Sequence, residues 1–362
     1  MKVAVIGPTY PLKGGIAQHT TSVAFHLRSA GHDVRLVSWL RQYPKRLYPG
    51  EQTVDEREFR PFERTERVLS WDRPDTWWRA GRALRDTDVV IFAHTTPIQA
   101  PSYRTMMSAL RASRTATVVI CHNVLPHEPR MADKLLVRSL LGAATRVVVH
   151  SPTEGDLAKD LTGRPATVVT MPPHWPEAFV RSRPAPGEHR RLLFFGLVRP
   201  YKGVDLLLHA LAQGPSDVHL RIAGEFWGGV DQTQELAHQL GIAERVELIS
   251  GYVPARRVSD LFHDVDALVL PYRSATSSQA VWSGFQFGVP VIATRAGHLA
   301  DDIRDGVDGL VVEPQRENEL AEALRRFYEP GVPERMRAAV VPVDPGPYWE
   351  RYVEELLGPS MD

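Results

Sequence analysis

The sequence predicts an α/β protein built from two Rossmann-like, doubly wound parallel-sheet domains facing each other across a cleft. Three observations lead there. Short aliphatic and β-branched runs alternate with helical periodicity along the whole chain, as in sheets covered on both faces. A glycine-rich polar break follows the first strand of each half. Met1-Lys-Val-Ala-Val-Ile-Gly7 enters Pro8-Thr-Tyr-Pro-Leu-Lys-Gly-Gly15, and Arg191-Leu-Leu-Phe-Phe-Gly196 enters Leu197-Val-Arg-Pro-Tyr-Lys-Gly203. A proline-rich stretch separates the halves. In open parallel sheets ligands bind beyond the carboxyl ends of the strands, so the layout suggests a nucleotide-using enzyme.

In the first half the strands fall at 2–7, Asp33–Trp39, Asp88–Ala93, Ala116–Cys121, Arg146–Val149 and Ala166–Thr170. Ser151-Pro-Thr-Glu154 is a capping box with proline at the first helical position, and Gly163 ends that helix. Repeated βα alternation implies right-handed crossovers and parallel pairing. Pro172-Pro-His-Trp-Pro and Arg183-Pro-Ala-Pro-Gly form a linker, since successive prolines block helix and central strand alike. The second half places strands near 191–196, 218–223, 245–249, 266–270, 290–293 and 309–312. Tyr348–Leu357 reads as an amphipathic helix that returns to the first domain. The predicted organisation is therefore a domain at 1–172, a linker at 173–190, a second domain at 191–340 and a terminal segment at 341–362.

Composition narrows the function. At 362 residues the chain favours two cores over one. Lys+Arg and Asp+Glu both number 43, and this balance argues against general nucleic-acid binding. Cys121, the single cysteine, rules out an internal disulfide and fits a reducing compartment. The start lacks a basic n-region and an apolar h-segment, and no apolar run reaches the roughly 18 residues that span a bilayer. A cytoplasmic protein is expected, peripheral to the inner face of a membrane at most. The basic, aromatic loop Arg41–Pro49 is the segment that can meet an acidic acceptor or anionic lipid, with a solvated loop as the plainer alternative.

Several constellations can carry chemistry. Arg199 and Lys202 follow the first strand of the second half, beside the helix start at Gly203. A cation pair next to exposed helix N–H groups suits a leaving diphosphate; solvated surface cations are the alternative. The turn Thr276-Ser-Ser-Gln279 leaves backbone N–H groups free before a helix, a seat for an anion or an ordinary N-cap. Gly14-Gly15 give a tight loop at another helix start, where backbone can approach a ligand, and Gln18 and His19 follow on the first turn. No G-x-G-x-x-G fingerprint accompanies it, so no nicotinamide cofactor is indicated. His122 ends the strand 116–121 and His94 the strand 88–93. Strand alternation points Cys121 and His122 to opposite faces, which argues against a nucleophilic dyad. His122, His127 and Glu128 lack zinc spacing, and no metal is expected.

Taken together, these segments resemble the retaining glycosyltransferases of family 4, which have the GT-B fold. Gly196-Leu-Val-Arg-Pro-Tyr-Lys-Gly203 is similar to that family's G-R-L-x-x-x-K-G signature, and Phe285–Thr294 to its A-M-A-x-G-x-P-V-V-A-T segment. Gly306-Val-Asp-Gly-Leu-Val-Val312 resembles the N-G-x-L-V stretch, and Gly14-Gly15 the N-terminal diglycine loop. The resemblance implies that Lys202 contacts the donor diphosphate and that His122 lies near the donor sugar. It also implies Gly15 beside the phosphate, the Thr276–Gln279 amides on diphosphate and sugar, and Ser250-Gly-Tyr252-Val253 framing the base, without a metal or cofactor. Two departures stand out. The signature arginine falls on Leu197, leaving Arg199 as its substitute. The family's E-x7-E pair falls on Ala275 and Ser283, so both carboxylates are missing. Glu225 in Gly224-Glu-Phe-Trp227 is a further binding candidate.

The expected function is metal-independent, retaining transfer of a sugar from a nucleoside diphosphate sugar to an acceptor hydroxyl on a small molecule, glycan or lipid-linked carrier. The alternatives are a sugar-nucleotide epimerase or hydrolase on the same frame, and a non-catalytic sugar-nucleotide-binding subunit.

Overall fold

The computed structural model describes residues 1–44, 53, 62, 65–126, 130–173, 190–275 and 279–358. Two compact units emerge, Met1–His174 together with Asp344–Asp362, and Trp175–Val343.

The first unit alternates strands and helices: β1 (Lys2–Ile6), α1 (Gly15–Ser29), β2 (Asp33–Arg41), β3 (Thr65–Ser70), α2 (Pro74–Ala83), β4 (Val89–His94), α3 (Ala100–Leu110), β5 (Ala116–Cys121), α4 (Met131–Ala143), β6 (Arg146–Val149), α5 (Pro152–Thr162) and β7 (Thr167–Val168). Its strands lie in the order β3-β2-β1-β4-β5-β6-β7, every pair parallel. Side chains of β1 show why the pattern reads as continuous apolar. Val3 and Val5 enter one buried cluster while Ala4 and Ile6 enter another, so both faces of the sheet are covered.

β3 is absent from the sequence-based strand list. It is an edge strand whose first residues, Thr65 to Val68, stay half-exposed or exposed, so only Leu69 and Ser70 bury. At α5, Ser151 accepts the Glu154 N–H at 3.3 Å. The Glu154 carboxylate accepts from the Val124 N–H at 2.5 Å and ties the loop after β5 to α5.

The second unit contains β8 (Arg191–Phe195), α6 (Val204–Gln213), β9 (His219–Gly224), α7 (Asp231–Gln239), β10 (Val246–Ser250), α8 (Ala255–Phe262), β11 (Ala267–Leu270), α9 (Gln279–Gln286), β12 (Val291–Thr294), β13 (Gly309–Val312), α10 (Glu317–Phe327) and α11 (Val332–Ala339). The order β10-β9-β8-β11-β12-β13 is again wholly parallel. Both sheets are thus doubly wound, as the sequence predicts. Strand order reverses between β1 and β4 in one unit and between β8 and β11 in the other, the positions where such sheets bind ligands.

The last helix, α12 (Gly346–Leu357), belongs to the first unit. Trp349, Tyr352, Val353 and Leu356 on one face join the cluster containing Val23, Ala24 and Leu27 of α1. The Trp349 indole N–H donates to the Pro173 carbonyl at 2.9 Å. Arg146 at the start of β6 donates to the carbonyls of Glu355 and Leu356, which satisfies the carboxyl end of the helix. No helix among the described residues is long and apolar enough to cross a membrane.

Candidate active site

In the second unit the loop after β8 closes on itself through a short 3-10 turn, Pro200–Lys202, before α6 begins. Gly203 makes this possible. Its φ is +67°, and a Cβ there would stand 2.1 Å from the Pro271 carbonyl oxygen at the end of β11. The backbone of one switch-point loop therefore rests directly on the other. Lys202 is carried into that junction. Its Nζ donates to the Tyr272 hydroxyl at 2.8 Å and lies 4.6 Å from the ring centroid, and a Cβ on Gly196 would be 3.6 Å from it. Among the described residues no carboxylate pairs with this ammonium. Burial disfavours its charge, yet the hydroxyls of Tyr272 and Tyr201, with the hydrogen bond to Tyr272, outweigh that and hold its pKa above the ordinary lysine value.

Arg199 takes a different partner. Its guanidinium lies 3.6 Å above the centroid of Trp227, on the loop after β9. Val198 and Trp227 hold the two loops together through backbone bonds, Val198 N–H to Glu225 C=O at 2.8 Å and Trp227 N–H to Val198 C=O at 3.1 Å. Glu225, half-buried, sits on this same loop. Arg199 lines a cleft of about 700 Å3 that Lys202 does not line.

The remaining predicted residues of this unit are spread along the carboxyl ends of its strands. Tyr252 and Val253, after β10, line a separate cleft of about 690 Å3 with Ser250 and Gly251. Gln279 opens α9 and accepts the Ser283 hydroxyl on its carbonyl at 3.0 Å. Thr276, Ser277 and Ser278 lie outside the described residues, as do His127, Glu128 and positions 45–49 of the basic loop. Arg41, at the start of that loop, is paired with Asp72 at 3.0 Å. At the two E-x7-E positions, Ala275 packs against the core and Ser283 is buried, so neither supplies an acid.

In the first unit Gly14 is the N-cap of α1 with φ +102°, a conformation that favours glycine, and both Gly14 and Gly15 face open space. His122 follows β5 and is buried, and the imidazoles of His19 on α1 and His150 after β6 pack around it. Its ring centroid is 4.8 Å from that of His19 and 5.1 Å from that of His150. Tyr352 and Trp349 of α12 close the group, 5.3 Å and 5.7 Å from His19. Burial pushes His150 down to about 4, against a hydrogen bond from its ring to the Val169 carbonyl that acts the other way. His94 is fully buried at the end of β4 and is also lowered to about 4 by desolvation. Among the described residues no group of three or more His, Cys, Asp or Glu side chains is arranged to hold a metal ion.

Sequence reasoning passes over Tyr272, His150 and Trp227. His150 directly follows β6, Tyr272 stands two residues beyond β11 and Trp227 three beyond β9, and their contacts join segments far apart in the chain.

Two family models match in tandem, "Glycosyltransferase Family 4" over residues 13–174 and "Glycosyl transferases group 1" over residues 189–330. The chain belongs to these glycosyltransferases. Within the family, the D-inositol 3-phosphate glycosyltransferase of Acidothermus cellulolyticus is 27% identical over 244 residues, 62% of this chain and 54% of that protein. D-inositol 3-phosphate glycosyltransferase 1 of Catenulispora acidiphila is 29% identical over 260 residues, 68% of this chain and 58% of that protein. The matches thus span just over half the length of these curated relatives. Among solved structures, Anabaena HepE in complex with UDP and glucose has a TM-score of 0.76 at 16% identity, covering 99% of this chain and 100% of that one. Sucrose-phosphate synthase from Thermosynechococcus elongatus has a TM-score of 0.73 at 16% identity, over 98% and 95% of the two chains. At these identities the likeness is one of fold, the two Rossmann-like domains of a GT-B glycosyltransferase.

Proposed function

We propose that this glycosyltransferase moves a sugar from a nucleoside diphosphate sugar to an acceptor hydroxyl with retention of the anomeric configuration. The observation that carries the reading is Lys202. An ammonium with no carboxylate partner among the described residues is drawn into the junction of β8 and β11, where the strand order reverses. A cation fixed there offsets the charge that grows on a departing diphosphate. The bond between the anomeric carbon and the β-phosphate oxygen breaks, the acceptor oxygen bonds the same face, and a phosphate oxygen takes the acceptor's proton. His122 lies beside the transferred sugar, and the Gly14-Gly15 backbone gives the phosphate room. Family membership and the UDP and glucose bound by HepE support a nucleotide-sugar donor. No metal is assigned to the reaction. The acceptor is a small molecule, glycan or lipid-linked carrier.

Donor consumption is the test, measured with UDP-, GDP-, ADP- and dTDP-sugars and an acceptor panel. Lys202→Ala should lower turnover by about 10²-fold or more. Near wild-type turnover in that variant ends the assignment. One observation favours a second reading, a non-catalytic sugar-nucleotide-binding subunit: the carboxylate positions hold Ala275 and the buried Ser283. Donor binding without turnover on any acceptor would select it.

A further inference from the structure

The cleft that Arg199 enters is not the place that holds Lys202. It is lined within the second unit by the turn before α6, the first turns of α6 and α7, and the segment after β11. Two arginines stand in it, and only one is neutralised. Arg273 makes a bidentate pair with Asp205 at 2.8 and 2.5 Å and donates to the Pro200 carbonyl at 2.6 Å. Arg199 has no carboxylate and no hydrogen-bond acceptor among the described residues, and its Nε is buried without a partner. Its charge alone sets the sign of the cleft, because a partly desolvated guanidinium without a counter-ion favours an incoming anion.

The rest of the lining has the chemistry of a sugar site. Trp227, whose ring carries the Arg199 guanidinium, keeps 40% of its surface exposed. Around it stand Gln232, Thr233, Ser274 and Gln315, neutral side chains that can both donate and accept hydrogen bonds. Gln315 holds φ +60°, the only non-glycine positive φ among the described residues, so a strained backbone presents this side chain. An apolar ring, hydroxyl-matched neutral groups and one unpaired cation together select a hydroxylated ring that carries a negative charge.

We propose that this cleft binds an acidic sugar, one bearing a carboxylate or a phosphate, with Arg199 as its counter-ion and Trp227 as its apolar wall. Such a sugar belongs to an acceptor or a product glycan, since the donor diphosphate is assigned to Lys202. Binding here does not require that assignment to hold.

Calorimetric titration of the whole chain tests it with methyl glucuronide, glucose 6-phosphate, the neutral methyl glucoside and inorganic phosphate. At least one acidic sugar should bind tenfold or more tightly than methyl glucoside and than inorganic phosphate. The better of the two acidic probes tells a carboxylated sugar from a phosphorylated one. Arg199→Gln should weaken that binding at least tenfold, and Lys202→Ala should leave it within twofold. Arg199→Lys and Thr233→Val, each compared by thermal unfolding, serve if Arg199→Gln does not fold; both should weaken the same ligand. No binding of either acidic sugar, equal binding of the neutral glucoside, phosphate binding as tight as the sugar phosphate, or a loss that follows Lys202→Ala instead of Arg199→Gln would each overturn the proposal. Loss of turnover in Lys202→Ala with no acidic-sugar binding would leave the transferase reading standing and this one refuted.

Discussion

The imidazoles of His19 and His122 meet edge to face, 4.8 Å apart at 89°. His19 is on α1, one turn beyond Gly15, and His122 leaves the carboxyl end of β5. The contact fixes the residue assigned to the donor sugar against the helix assigned to the phosphate. Because His19 is fully buried, its ring cannot be removed without loosening His122. His19→Ala should therefore lower turnover by about 10²-fold, as small misplacements of a positioned group do. His122→Ala should cost at least as much, and the double variant little more than the worse single one. Steady-state kinetics of the three variants, with thermal unfolding to compare folding, decides this; additive losses would separate the two rings.

Acid should destabilise the first unit through its desolvated histidines. Desolvation lowers His94, His26 and His150 from 6.5 to about 4. A depressed histidine pKa means the folded state binds fewer protons than the unfolded chain. Stability is unaffected above pH 6.5 and falls as pH drops from 6.5 toward 4. For His94, which is fully buried, the penalty by pH 4 is on the order of 3 kcal/mol. Unfolding midpoints at pH 7.5 and 5 should show a marked drop in the wild type and a smaller one in His94→Leu. Equal drops in both proteins would remove His94 from the account.

The helix α12 can be tested by truncating one side chain. Leu356 is fully buried in the cluster that also holds Tyr352 and Leu27. Leu356→Ala should cost about 2–5 kcal/mol, depending on how far the site collapses. Denaturant unfolding measures it, and a loss well below 1 kcal/mol would mean that the helix contributes little to the first unit.

Most of the fold is legible because both sheets are parallel and covered on both faces. Each central strand is then a solid apolar run such as Val89-Val-Ile-Phe-Ala93, and its periodicity cannot be mistaken for a solvated surface. β3 is illegible for the converse reason: at an edge, Thr65-Glu-Arg-Val68 buries nothing and carries charge. The chemistry of the site is partly visible, since Lys202 and His122 sit where strands end. Their neighbours are not. Tyr272 reaches Lys202 only because β8 pairs with β11 across 70 residues of sequence, and His150 reaches His122 only because β5 pairs with β6. The contact of Arg199 with Trp227 is equally invisible in sequence, because it joins the loop after β8 to the loop after β9.

Tyr272 anchors the Lys202 ammonium by one hydrogen bond of 2.8 Å and by its ring. Tyr272→Phe keeps the ring and removes the acceptor. A hydrogen bond to a charged group is worth about 1.5–3 kcal/mol, so turnover should fall by about 10- to 100-fold. The Lys202→Ala loss should be larger, and adding Tyr272→Phe to it should change little, because the hydroxyl then has no ammonium to hold. Full activity in Tyr272→Phe would show that Lys202 reaches the diphosphate unaided.

Gly203 lies beneath that pair. Alanine there meets two obstacles at once: φ of +67°, and a Cβ 2.1 Å from the Pro271 carbonyl oxygen. The oxygen belongs to backbone at the end of β11, so it cannot rotate away, and relief requires separating the β8 loop from the β11 loop. Gly203→Ala should cost more than the roughly 1–2 kcal/mol of a left-handed alanine alone. It should also pull Lys202 away from Tyr272, so turnover should fall along with stability. A variant such as Leu356→Ala that loses comparable stability away from this junction provides the reference. If both variants keep the same turnover below their melting temperatures, Gly203 serves the fold alone.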